Sequence, residues 1–135
     1  MHEQFLLAAL EQAKQGRGLC APNPSVGAVA VQNEKIIAQA WHKGAGTPHA
    51  EPLLLAQIPP NTPGVNVYIT LEPCAMCAGA LGWSQISDLI YGASDEKKGY
   101  TNISGALLHP KTKVLSGVME KECRDVLLKF FKGKR

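Results

Sequence analysis

A three-layer α/β/α sandwich, with a central mixed five-stranded sheet between helices, is the fold class that this sequence predicts. Two observations carry the prediction. Five short segments rich in Val, Ile and Ala alternate with segments of helical apolar spacing. The chain has 135 residues, which suits one hydrophobic core, and residues 1–135 read as a single domain.

The elements follow in order. Residues 3 to 15 place Phe5, Leu6, Ala9, Leu10 and Ala13 at helical spacing, and Gly16 and Gly18 end that helix. APNPS is a turn in which two prolines fix the chain around Asn23. VGAVAVQ and KIIAQAW read as two strands joined at Asn33-Glu34. A loop with Gly44 and Gly46 leads to a helix, HAEPLLLAQ, opened by His49, with Pro52 in its first turn where a missing N–H costs little. VNVYIT is apolar enough for a central strand. Pro73 starts a third helix, CAMCAGALGWS, and ISDLIYG is the next strand. Ala93 to Lys111 reads as a long loop, with one helical turn expected near Ser104 to His109. KVLSGV is the last strand. A closing helix from about Met119 to Phe131 turns Val126, Leu127, Phe130 and Phe131 inward, and its basic end, KGKR, complements the helix dipole. Trp83 and Tyr91 are expected in the core, and Cys20 and Cys123 as buried free thiols.

Composition narrows the function. Hydrophobic residues make up 45% and charged residues 19%, as in an ordinary globular protein. No apolar run approaches the roughly 20 residues that span a bilayer. The first helix has no basic leader region, so no membrane association and a cytoplasmic location are expected. A net charge of +3 permits a nucleic-acid partner without arguing for one.

The chemistry concentrates in TPHAEP and LEPCAMC. Cys74 and Cys77, three apart at a helix start, turn both sulfurs one way, and the helix dipole there favours the thiolate that binds metal. Two Cys and one His form a known catalytic zinc set with a fourth position left for water. His49 is the candidate third ligand, and one zinc ion per chain is expected. Glu51, two residues on, is the candidate catalytic carboxylate, able to take a proton from water and hand it to a leaving group. Cys-x-x-Cys alone also fits a redox pair, or half of a structural zinc knuckle whose fourth ligand is Cys20, Cys123, His42 or His109.

Together, His49-Ala50-Glu51 and Pro73-Cys74-Ala75-Met76-Cys77 make the chain resemble the cytidine and deoxycytidylate deaminase superfamily. The resemblance implies that His49, Cys74 and Cys77 hold zinc. It also implies that Glu51 shuttles protons while water replaces the amino group of a nucleobase ring and ammonia leaves.

The two halves resemble different branches. TLEPCAMCAGAL, IYGASDEKKG, LLHP, Glu122-Cys123 and KFFKGKR are similar to bacterial tRNA-specific adenosine deaminases. Pro22-Asn23-Pro24, Val26-Gly27-Ala28-Val29, Trp41-His42 and GAGTPHAE are similar to the deaminase domain of the riboflavin pathway. The resemblance makes Asn23, His42, Ala50 and Asp95 the substrate-contact candidates. Asn23 equally fits a turn-holding role, His42 a strand-end role, and Asp95 an ordinary polar turn. Lys97, Lys98, Lys129, Lys132, Lys134 and Arg135 fit either phosphate contacts or a solvated surface. The chain departs from both patterns. The tRNA enzymes typically carry Asn where His42 stands. The riboflavin enzyme has a longer insertion between the zinc cysteines, where this chain has only Ala75-Met76. The resemblance also implies a homodimer.

The expected activity is zinc-dependent hydrolytic deamination, with adenosine in tRNA as the first substrate. The alternative is a small molecule: the riboflavin-pathway aminopyrimidine, or a free base or nucleoside. A non-catalytic, zinc-stabilised nucleic-acid-binding module is the reading from a different class, and it has no use for Glu51.

Overall fold

The structure, a computed structural model, describes residues 2–16, 24–44, 46–103 and 105–132, with 129–132 as backbone alone. Asn23 and Cys20 lie outside the described residues, as do Lys134 and Arg135. The elements are α1 (His2–Gln15), β1 (Gly27–Gln32), β2 (Lys35–Trp41), α2 (Ala50–Leu55), β3 (Asn66–Leu71), α3 (Ala75–Trp83), β4 (Asp88–Ala93), β5 (Lys113–Ser116) and α4 (Glu120–Lys132).

The sheet order is β2-β1-β3-β4-β5. β1 runs antiparallel to both β2 and β3, whereas β3, β4 and β5 are parallel. The sheet is therefore mixed, with VNVYIT at its centre as its apolar composition requires. Asn33 and Glu34 both take positive φ, 52° and 64°, which is the twist a two-residue hairpin turn needs between β1 and β2.

Strand alternation divides the core into two layers. Ala28, Ala30, Val67, Ile69, Leu89 and Tyr91 face Leu54 of α2 and Leu81 of α3. Val29, Val31, Tyr68 and Ile90 face Phe5, Leu6, Ala9 and Leu10 of α1, and Cys123 of α4. The five apolar positions expected of the first helix are its five buried residues. Cys123 is a buried free thiol whose pKa burial pushes up to about 12. Among the described residues, no helix is long and apolar enough to cross a membrane.

Two expectations are corrected. Trp83 is 91% exposed, not core. α3 carries no charged residue, so its apolar composition does not say which face turns inward; Ala78 and Leu81 do, and Met76 and Trp83 do not. The helical turn expected at Ser104 to His109 is instead a 3-10 turn at Tyr100–Asn102. It is held from outside the loop, because Tyr100 N–H donates to the Pro73 carbonyl at 2.9 Å.

Gly27 sets how closely α1 sits on the sheet. A Cβ there would run into the backbone of Ala9 and Ala13. Only a helix shift could relieve that contact, so Gly27→Ala is expected to lower unfolding stability by about 2–3 kcal/mol in urea titration. A loss below about 0.5 kcal/mol, the ordinary surface range, would contradict this seating of α1.

Candidate metal centre and active-site pocket

Two helix starts meet at one end of the sheet. The hairpin of β1 and β2 ends at His42, whose N–H donates to the Val26 carbonyl at 3.0 Å. A short loop then delivers His49, in extended conformation, to the N-cap of α2. β3 runs out through Leu71-Glu72-Pro73 and delivers Cys74 to the N-cap of α3. Cys77 follows in the first turn, and the Ala78 N–H closes that turn on the Cys74 carbonyl at 2.8 Å. Both helices thus begin one residue or two later than the proline and histidine signals suggested.

His49, Cys74 and Cys77 each offer one ligand atom, all within 4.8 Å of one another. The His49 Nδ1 lies 3.3 Å from the Cys77 sulfur and 3.7 Å from the Cys74 sulfur. One imidazole nitrogen and two thiols fit zinc in chemistry as well as in placement. Of the alternative fourth ligands, Cys20 lies outside the described residues, and the other three stand apart from the cluster. Cys123 lies in the opposite core layer. His109 accepts from the Lys111 N–H at 3.1 Å in a surface turn. The His42 ring stands edge-on to His49 at 5.5 Å, with its Nδ1 bonded to the Pro48 carbonyl at 3.0 Å. Among the described residues, the cluster is therefore a three-ligand set.

The proton-bearing groups are tightly linked. The Cys77 thiol donates toward Cys74 and holds its pKa down to about 5, with the positive potential of His49 adding to the effect. Cys77 is correspondingly pushed up, first by that shared proton and then by burial. Glu51 is 4% exposed in the first turn of α2, and burial lifts its carboxyl to about 7. A hydrogen bond from its own backbone N–H, then the nearby His49 and a hydrogen bond with Cys77, partly offset that burial.

A cavity of about 110 Å³ opens onto this cluster. Three of the four substrate-contact candidates line it: His42, Ala50 and Asp95, beside Glu51, Cys74 and His49. The fourth, Asn23, lies outside the described residues, next to Pro24, which does line the cavity. His42 is 3% exposed and belongs to the pocket wall, not to a solvated strand end. Lys98 also lines the cavity; Lys97 does not. Sequence reasoning missed Glu72, a buried carboxyl in the wall; its signal was an acidic residue at the inner end of a central strand, before Pro73.

Comparison with known proteins agrees with this site. The model of the cytidine and deoxycytidylate deaminase zinc-binding region matches residues 1–93. The diaminohydroxyphosphoribosylamino-pyrimidine deaminase of Buchnera aphidicola subsp. Schizaphis graminum is 35% identical over 141 residues, covering 97% of this chain and 94% of that protein. The tRNA-specific adenosine deaminase of Bacillus subtilis is 33% identical over 147 residues, covering 98% and 90%. The solved deaminase/reductase of Thermotoga maritima superposes with a TM-score of 0.82 at 30% identity, over 96% of this chain and 40% of that one. The chain likewise spans only 38% of the riboflavin biosynthesis protein RibD of Aquifex aeolicus. Fold, three-ligand cluster and sequence match agree: this chain belongs to the zinc-binding cytidine and deoxycytidylate deaminase family.

Proposed function

We propose that this protein is a hydrolytic deaminase of an amino-substituted nucleobase, and that its first substrate is adenosine in tRNA. The observation that carries the reaction is Glu51, a buried carboxyl beside the three-ligand cluster and lining the same cavity. His49, Cys74 and Cys77 would hold the zinc ion. When bound, zinc supplies a Lewis acid that makes water nucleophilic near neutral pH. Glu51 accepts a proton as the water oxygen bonds to the amino-bearing ring carbon. It returns a proton to the departing nitrogen, the C–N bond breaks, and ammonia leaves with a carbonyl in its place. His42, Ala50 and Asp95 contact the base; Asn23, the remaining substrate-contact candidate, lies outside the described residues. A zinc-stabilised binding module would gain nothing from burying this carboxyl beside a three-ligand set.

The choice of tRNA adenosine rests on the short link between the cysteines. Ala75 and Met76 leave no inserted loop over the cavity, and α3 begins at once. Among the described residues, its lining contains one Lys or Arg side chain, Lys98, which is little to hold a terminal phosphate dianion. The riboflavin-pathway aminopyrimidine is the second reading, favoured by the place of His42 in the wall. A homodimer belongs to the same proposal: Met76 and Trp83, seven residues apart on α3, expose large apolar surface on a helix without charge.

Glu51→Gln is expected to keep one zinc per chain and to lose at least about 100-fold in kcat. Activity within a few-fold of the original would remove Glu51 from its role. In a substrate panel followed by ammonia release, tRNA with adenosine at the wobble position is expected to react. The aminopyrimidine, cytosine and guanine are expected to be inert. Turnover of the aminopyrimidine without tRNA activity would replace the first reading with the second.

The raised Glu51 pKa gives a pH signature in zinc-stripped protein. Between its ordinary value of 4.5 and about 7, the folded state holds a proton that the unfolded state has released. Stability from this group therefore falls as pH rises through that window. Glu51→Gln is expected to be no more stable than the original near pH 4.5 and more stable by up to about 3 kcal/mol at pH 8, measured by urea unfolding. An advantage that is constant with pH would contradict the assignment.

A further inference from the structure

Glu72 is 3% exposed, yet its carboxyl does none of the work described above. Its Oε1 accepts from the Asp95 N–H at 3.1 Å. Its Oε2 accepts from the Thr101 N–H at 3.0 Å and from the Thr101 hydroxyl at 2.6 Å. All three donors belong to the loop that follows β4. The same loop is clasped at Gly99, which bridges to Cys74, and at Tyr100, whose N–H reaches the Pro73 carbonyl. A Cβ on Gly99 would run into the Glu72 carboxyl, so that glycine is what lets the loop close over it. Within the loop, the Asp95 Oδ1 accepts from the N–H groups of Lys97 and Lys98 at 3.1 and 2.9 Å, which fixes Asp95 and the Lys98 backbone as one turn. Asp95, Lys98 and Glu72 all line the cavity over the metal cluster.

The strand end that delivers Cys74 thus also carries, two residues earlier, the anchor of the opposite wall. We propose that Glu72 is a positioning residue for substrate: it sets the distance between the metal ligands and the Asp95–Lys98 wall, and so governs how tightly the base and its attached sugar are held. The proposal rests on the deaminase reading of this pocket. Three donors meeting two acceptor-only oxygens explain why a carboxylate stands here. A glutamine of the same size would turn an N–H group toward at least one donor.

The test uses the full chain with zinc bound. Hydrogen exchange reads the anchor directly. In Glu72→Gln the amides of Asp95 and Thr101 are expected to lose protection, while the amide of Ala78, bonded to the Cys74 carbonyl, keeps it. Steady-state kinetics then uses an anticodon stem-loop with adenosine at the wobble position and, separately, the riboflavin-pathway aminopyrimidine. On whichever reacts, Glu72→Gln is expected to raise KM about tenfold, with kcat within about threefold and zinc content unchanged. Gly99→Ala attacks the same junction from the other side and is expected to reproduce the KM shift. Unchanged exchange, unchanged KM, or loss of zinc in step with activity would overturn the proposal. An unmutated protein that releases ammonia from neither probe, nor from free bases and nucleosides, would sink the deaminase reading and this proposal with it. A protein that is active but indifferent to both substitutions sinks this proposal alone.

Discussion

Four proton-bearing side chains, His49, Glu51, Cys74 and Cys77, are packed into one place at the end of the sheet, and most of the local architecture follows from that constraint. Burying such groups is costly unless each finds a partner. The costs show in the pKa values: Glu51 is lifted to about 7 by burial, and the two thiols share a proton that drives their values apart. Two helix N-termini converge on the cluster, α2 behind His49 and α3 behind Cys74, and their dipoles favour negative charge there. A divalent metal would answer the same constraint by taking the place of the thiol protons. The sheet order makes the convergence feasible. Central β3 ends at Leu71, three residues before Cys74, and the β1–β2 hairpin returns the chain to the same end at His42.

Much of this was legible in the sequence, for reasons that can be named. The first helix, the five strands and the hairpin turn obey local rules: apolar period, turn length and glycine placement. The cluster was legible because each half of it is contiguous, with the candidate catalytic carboxylate two residues from its histidine and the cysteines three apart. What was not legible depends on contacts between distant segments. Trp83 looked like core because an apolar helix without charges gives no clue to its buried face. The helical turn after β4 was expected too late in the chain because its holding bond comes from Pro73, more than twenty residues upstream. His42 could be read as a strand-end residue because nothing local shows that its ring is fixed by the Pro48 carbonyl. Glu72 went unread for the same reason: its three donors lie 23 and 29 residues away.

The pocket also explains why the sequence resembles two branches of one family. The wall around His42 and Pro24 comes from the N-terminal half, and the wall of Asp95 and Lys98 from the C-terminal half. The reaction depends on the cluster between the two walls. On the proposed reading, substrate preference depends on the walls; relatives named for tRNA adenosine and for an aminopyrimidine match this chain about equally, at 33% and 35% identity. Glu72 ties the second wall to the strand end that carries Cys74, and on the proposed reading this links reaction and preference even though the sequence signals for them are separate.

The central claim is that His49, Cys74 and Cys77 are all the protein ligands of one zinc ion. X-ray absorption of the zinc-loaded protein measures this directly, by counting sulfurs, lighter atoms and, from outer-shell scattering, imidazole rings around the metal. Two sulfurs, one imidazole and one further light atom are expected, with the count of sulfurs unchanged in Cys20→Ser and in Cys123→Ser. A third sulfur, lost in either variant, or a second imidazole would mean a closed structural site and would contradict it.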